Sequence, residues 1–136
     1  MRDEIRRASP LERFEASCSK YIVAPSDLPR LVLPVVDGPE RSGVYFLWGE
    51  DDALLYVGAS GSIITRMAQH RWAGRIPFVA FSVLDVYIND GFPWHEFVES
   101  AYIFALDPPL NTLRRRFQFK GEQAMQDAIA AAWRQS

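Results

Sequence analysis

A single cysteine, Cys18, in 136 residues leaves nothing to form an intramolecular disulfide and excludes a cysteine-rich zinc site. The chain also lacks any apolar run near the roughly 18 residues that a membrane-spanning helix requires. Its start, Met1-Arg2-Asp3-Glu4, has no secretory hydrophobic core. A reducing, cytoplasmic setting with no membrane association is therefore expected. Internal repeats and low-complexity tracts are absent as well.

Positive charge is not in excess. The formal net charge is −2 and the pI about 5.7, a balance that on average does not favour a polyanion. The bases are nonetheless clustered. Arg114, Arg115, Arg116 and Lys120 fall in residues 111–120 with no acid among them, and Arg66, Arg71 and Arg75 follow one another earlier. Such clusters either make one basic face or merely solvate a loop. What the chain does have is apolar material: 49% hydrophobic and 13% aromatic residues supply one domain with a proper core.

Two tyrosine-glycine groups, Gly43-Val44-Tyr45 and Tyr56-Val57-Gly58, frame a short apolar hairpin. Val44 to Trp48 and Ala53 to Val57 are strand-like runs, and Gly49-Glu50-Asp51-Asp52 is a polar turn between them. Alternation of side chains lets Tyr45 and Tyr56 share one face. A glycine at each outer end admits close approach of backbone or ligand. Each tyrosine taken alone is more simply read as a buried phenol with a satisfied hydroxyl.

Ser62 opens a helical segment from Ile63 to Trp72, and Ala73-Gly74 stops it. Arg66 and His70 lie one turn apart on it, with Ile63 and Met67 along the neighbouring core-facing stripe. A guanidinium beside an imidazole invites an anion such as a phosphate between them. Residues 78–87 read as a third strand, nearly all apolar and hence interior to the sheet. Pro93 opens a helix running to Leu106, on which Phe97, Ala101 and Phe104 repeat with helical period. Glu99 lies on or beside that stripe, where a carboxylate is either at the surface or needs a divalent cation or an arginine. Asp107-Pro108-Pro109-Leu110-Asn111 ends the helix in a stiff turn that can direct the Asn111 amide back toward the site or onto its own backbone.

The ends carry less. Ser9-Pro10-Leu11-Glu12 has the form of a capping box, predicting a short helix to about Lys20. Residues 21–41 are proline-rich and extended, an arm with an edge strand in it that packs on the core or on a partner. Residues 1–41 are thus expected to be the helix and arm, and 42–136 the main domain. Met125, Ile129 and Trp133 form one stripe of a C-terminal helix that closes the core or makes a dimer seam. The expected fold is α/β, with a small central three-stranded sheet, mixed or antiparallel, flanked by helices.

Over about residues 42–112 the chain resembles the GIY-YIG nuclease superfamily. Gly43-Val44-Tyr45 and Tyr56-Val57-Gly58 stand for the two signatures, with valine for isoleucine in both. Arg66, His70, Glu99 and the Pro108 to Asn111 turn continue the match. Ala59 departs from it, since some members, notably the excision-repair nucleases, carry lysine there. The resemblance implies a divalent-metal-dependent endonuclease acting on DNA by a one-metal mechanism. Glu99 would hold Mg²⁺ or Mn²⁺, Tyr45 would accept the proton of the attacking water, and Arg66 would stabilise the pentavalent state. His70 would orient or relay a proton, Tyr56 would bond the phosphate or position the water, and Asn111 would brace Glu99 or the backbone turn. An unperturbed phenol has a pKa of about 10, so phenolate would need Arg66 and the metal nearby. Arg71, Arg75, Arg114, Arg115, Arg116 and Lys120 would contact DNA, and a second copy or a protein partner would supply specificity. The alternative is a non-catalytic nucleic-acid-binding or partner-docking module on the same scaffold. If the polar matches are coincidental, Glu99 should lie far from Tyr45.

Overall fold

The structure, a computed structural model, describes residues 17–32, 41–88, 90–114 and 118–135. Its centre is the expected hairpin. Strand β2 (Gly43–Trp48) runs antiparallel to β3 (Leu54–Ser60), with Tyr45 opposite Gly58 and Leu47 opposite Tyr56. The register slips by one residue between Leu47 and Trp48, a bulge that tightens the strand's twist before the turn. In that turn Asp51 and Asp52 sit at φ of 62° and 57°, which short polar side chains tolerate, and the Gly49 N–H donates to Ala53 O at 2.8 Å.

Strand β4 (Ala80–Asp85) pairs with the other edge of β2 and is interior, as its apolar sequence predicts. Among the described residues the sheet has four strands, the three principal ones expected and an edge strand from the arm. Leu31–Val32, here β1, pairs with β4 at Phe81 and Ala80, giving the order β1-β4-β2-β3, antiparallel throughout. Two residues beside Pro29 are too short a run to show period-two patterning, and proline confines such a strand to an edge.

Among the described residues three α-helices cover the sheet: α1 (Ile63–Ala73), α2 (Trp94–Leu106) and α3 (Gln123–Arg134). The glycine stop of α1 is Gly74, at φ 64° with its N–H on His70 O. Ser62 occupies the capping position of α1, but its hydroxyl donates to Thr65 Oγ1 at 2.9 Å and accepts no capping bond from a helix N–H. Asp107 ends α2 in the left-handed region, its N–H on Ile103 O at 2.8 Å.

Side-chain alternation sorts the sheet into two faces. Val44, Phe46, Trp48 and Val57 join Phe97, Val98, Ala101 and Tyr102 of α2 and Met125 and Ile129 of α3 in the larger core. The α3 stripe thus closes the core of its own chain, with Trp133 stacked on Trp48 at 5.8 Å between ring centres. The opposite face carries Tyr45, Leu47, Phe81 and Val83 against Ile63 and Met67 of α1.

The described part of the arm belongs to the large core. Cys18, Tyr21 and Leu28 are buried in it. The Tyr102 hydroxyl donates to Tyr21 O at 2.7 Å and accepts from Val23 N–H, while the Trp133 indole donates to Val23 O. Ser82 accepts from the Trp48 indole and donates to Pro29 O, each at 2.8 Å, which satisfies a hydroxyl inside a strand. The helix expected from Pro10 to about Lys20 lies mostly outside the described residues; within them Ser17 and Cys18 are helical and Ser19–Tyr21 forms a 3-10 turn. No helix among the described residues is long and apolar enough to cross a membrane.

Candidate active site

Period-two alternation places Tyr45 and Tyr56 on the face of the sheet that α1 covers, and helical periodicity brings His70 over both. The Tyr45 hydroxyl lies 2.8 Å from His70 Nε2, and the two rings meet edge-on at 5.5 Å between centres. Tyr56 stands 6.1 Å from Tyr45 and 5.4 Å from the imidazole. Three rings thus converge on one polar point. When the imidazole carries its proton on Nδ1, the phenol donates to Nε2 and the pair forms a proton path.

The glycine of the second signature has a physical reason. A Cβ on Gly58 would come within 2.4 Å of the Tyr45 ring and hydroxyl, so the bare backbone makes the space that the phenol fills. Gly43 is constrained differently. It sits at φ 146°, and a Cβ there would meet Leu84 O at 2.2 Å.

Tyr45 is 2% exposed, and burial is the main cause that pushes its pKa up. Tyr56, through charge and a hydrogen bond, and Glu99, through charge, push it further the same way, while Arg66 pulls it down. The protein alone therefore keeps Tyr45 protonated, and the phenolate expected of a general base would require further positive charge. Arg66, on α1, and Glu99, on α2, both act on the phenol through charge, in opposite directions. Glu99 is 6% exposed on a helix that packs on β2 and β3.

Asn111 does not point at the phenols. Its Oδ1 accepts from Val57 N–H and its Nδ2 donates to Val57 O, both at 2.9 Å. Since β3 is the sheet's outer edge, the amide imitates a neighbouring strand and pins the Pro109–Arg114 turn to the second signature. Its contribution is position. His95, the other histidine, bonds Val86 O at 3.1 Å and takes no part.

Beside the ring cluster opens a pocket of about 340 Å³, lined by Tyr56, Arg66, His70 and Arg75 together with Gln69, Ala73, Ile76 and Leu110. The last four are not in the motif set. Gln69 was accessible to helical geometry, lying about 60° around α1 from Arg66; Ile76 and Leu110 come from loops whose packing no local pattern reports. Arg71 is exposed about 140° around the helix from Arg66 and does not line this pocket. Lys120 is exposed, and the side chains of Arg114, Arg115 and Arg116 lie outside the described residues. No three His, Cys, Asp or Glu residues gather into a metal-binding cluster among the described residues. No family model, curated protein or solved structure matches this chain.

Proposed function

We propose that the chain is a divalent-metal-dependent endonuclease of the GIY-YIG type that hydrolyses DNA phosphodiester bonds. The observation that carries this reading is the 2.8 Å contact between Tyr45 and His70, with Tyr56 against both rings and Arg66 one turn before His70 on the same helix. A buried phenol, an imidazole and a guanidinium near one another, with the buried Glu99 carboxylate supplied from α2, suit the addition of water to an anion. The valines that replace isoleucine in both signatures, Val44 and Val57, are fully buried in the large core, so the change is one of packing and leaves the polar face alone. Ala59 packs on that same core, away from the phenols.

The donor set fits a hard cation. A single buried carboxylate, Glu99, suits Mg²⁺ or Mn²⁺, ions that keep several waters and accept few protein ligands. Bound at Glu99, the ion would neutralise charge on the scissile phosphate and leaving oxygen. The rest is assigned to the protein's own groups. As water attacks phosphorus, Tyr45 takes its proton and passes its own to His70 Nε2, which resolves the conflict between burial and a phenolate base. Arg66 meets the non-bridging oxygens, whose charge grows in the pentavalent state. Tyr56 holds the phosphate or the water. Asn111 fixes the strand on which Tyr56 and Gly58 stand.

Supercoiled plasmid incubated with Mg²⁺ or Mn²⁺ tests the proposal. Wild type should nick or linearise it, and Glu99→Gln and Arg66→Ala should not. Equal activity in all three would place the cleavage outside this site. DNA binding without any cleavage by wild type would favour the non-catalytic module.

A further inference from the structure

We infer that the pocket beside Arg66 and His70 holds an unpaired nucleobase, so that the DNA bound here carries an unpaired nucleotide next to the phosphate at the phenols. This rests on the proposed function for the identity of the polymer and deepens it by naming the substrate's form.

The pocket is the wrong size for a phosphate alone. At about 340 Å³ it falls within the range of roughly 300–1,000 Å³ typical of organic-ligand sites. A bare phosphate displaces only a few waters, each occupying about 30 Å³, and would leave most of the space unfilled. The walls are wrong for a phosphate as well. Ile76, Leu110 and the Tyr56 ring are apolar surfaces, and Leu110 is 42% exposed despite its size. Phosphate oxygens call for donors on every side, whereas the flat face of a base calls for apolar and aromatic contact. Gln69 adds an amide, with both donors and an acceptor, that can meet a base edge. Arg66 and Arg75 border the same space and can neutralise the phosphates on either side of the sugar. Apolar walls, an amide and two guanidinium groups are together complementary to a nucleotide.

A base within duplex DNA reaches a pocket on a protein surface only by leaving its stack. That extrusion is least costly where the base has no partner. A bulge, a flap or a single-stranded junction should therefore bind in preference to a continuous duplex.

Fluorescence anisotropy on labelled hairpins, without divalent ion, tests this separately from catalysis. Three hairpins suffice: fully paired, with one bulged nucleotide, and with an abasic residue at the bulge. The abasic form keeps the flexibility of the bulge and removes the base. The bulged hairpin should bind about tenfold more tightly than both others, the scale of one base stacked on an aromatic side chain. Ala73→Trp, which fills the pocket, should bring the three affinities within about twofold of one another, a ratio that does not depend on the fraction of folded protein. Equal affinities in wild type, or a preference that survives Ala73→Trp, would overturn the inference. If the preference holds but Mg²⁺ produces no cleavage, the pocket stands and the nuclease reading falls.

Discussion

The Tyr45 phenol occupies the volume that any side chain at Gly58 would need, with a Cβ there only 2.4 Å from its hydroxyl oxygen. The two residues face each other across the hairpin and come from different signatures. Gly58→Ala should therefore displace the Tyr45 ring. Overpacking of this kind costs about 1–3 kcal/mol. A displacement near 1 Å at a reacting group costs about 100-fold in rate. Calorimetry and single-turnover cleavage should show a folded protein whose activity falls far more than its stability. Full activity in that variant would remove Tyr45 from the chemistry.

Asn111 and Val57 supply a second prediction. Asn111→Ala leaves a buried N–H and C=O of the edge strand without their partners, a cost of about 2–4 kcal/mol. Hydrogen exchange at the Val57 amide should accelerate accordingly. Asn111→Asp keeps the acceptor for Val57 N–H but sets an oxygen against Val57 O, so it should protect that amide only in part. An unchanged exchange rate in the alanine variant would show that water replaces the side chain.

Tyr45 and His70 should behave as one unit. General acid–base groups contribute about 10²–10⁴-fold, and Tyr45→Phe and His70→Ala should each cost an amount in that range. Because each acts through the 2.8 Å contact, the double variant should be no slower than the worse single one. Strictly multiplicative losses in single-turnover rates would mean that the two residues work on separate protons.

Stability should fall at alkaline pH. Burial, then the charge of Asp90, raises the Cys18 thiol from 9.0 to about 12 against the opposing charge of Lys20. Burial likewise raises Tyr102, opposed by its backbone bond with Val23, and is the first cause at Tyr45. In each case the folded state favours the proton. The stabilisation is complete below the unfolded pKa and is lost as pH climbs through the folded one. Melting temperatures should hold up to about pH 8 and decline between about pH 9 and 11. Cys18→Ala should melt lower throughout but decline less steeply. A melting temperature that rises across this interval would contradict the assignment.

Local patterns made most of the face that carries the phenols legible. Alternation set Tyr45 and Tyr56 on one side of the hairpin, and four-residue spacing set Arg66 and His70 together on a helix whose glycine stop was also readable. What escaped depends on contacts between distant parts of the chain. An edge strand in the arm was readable, but the two-residue extent of β1 and its register come only from β4. The Asn111 amide could be assigned to the turn but not to Val57, its partner 54 positions earlier. The arm's attachment through Tyr102 spans 81 positions. Gln69, Ile76 and Leu110 belong to no motif, so only the folded chain gathers them around the pocket.

The account depends most on Glu99 serving the same point as the phenols. A titration of plasmid-nicking rate against Mn²⁺ for wild type and Glu99→Gln, with circular dichroism confirming that both are folded, addresses this directly. Wild type should saturate with metal, and the glutamine variant should remain inactive at every concentration. Equal rates at equal metal would show that the carboxylate plays no part, and the nuclease assignment would not stand.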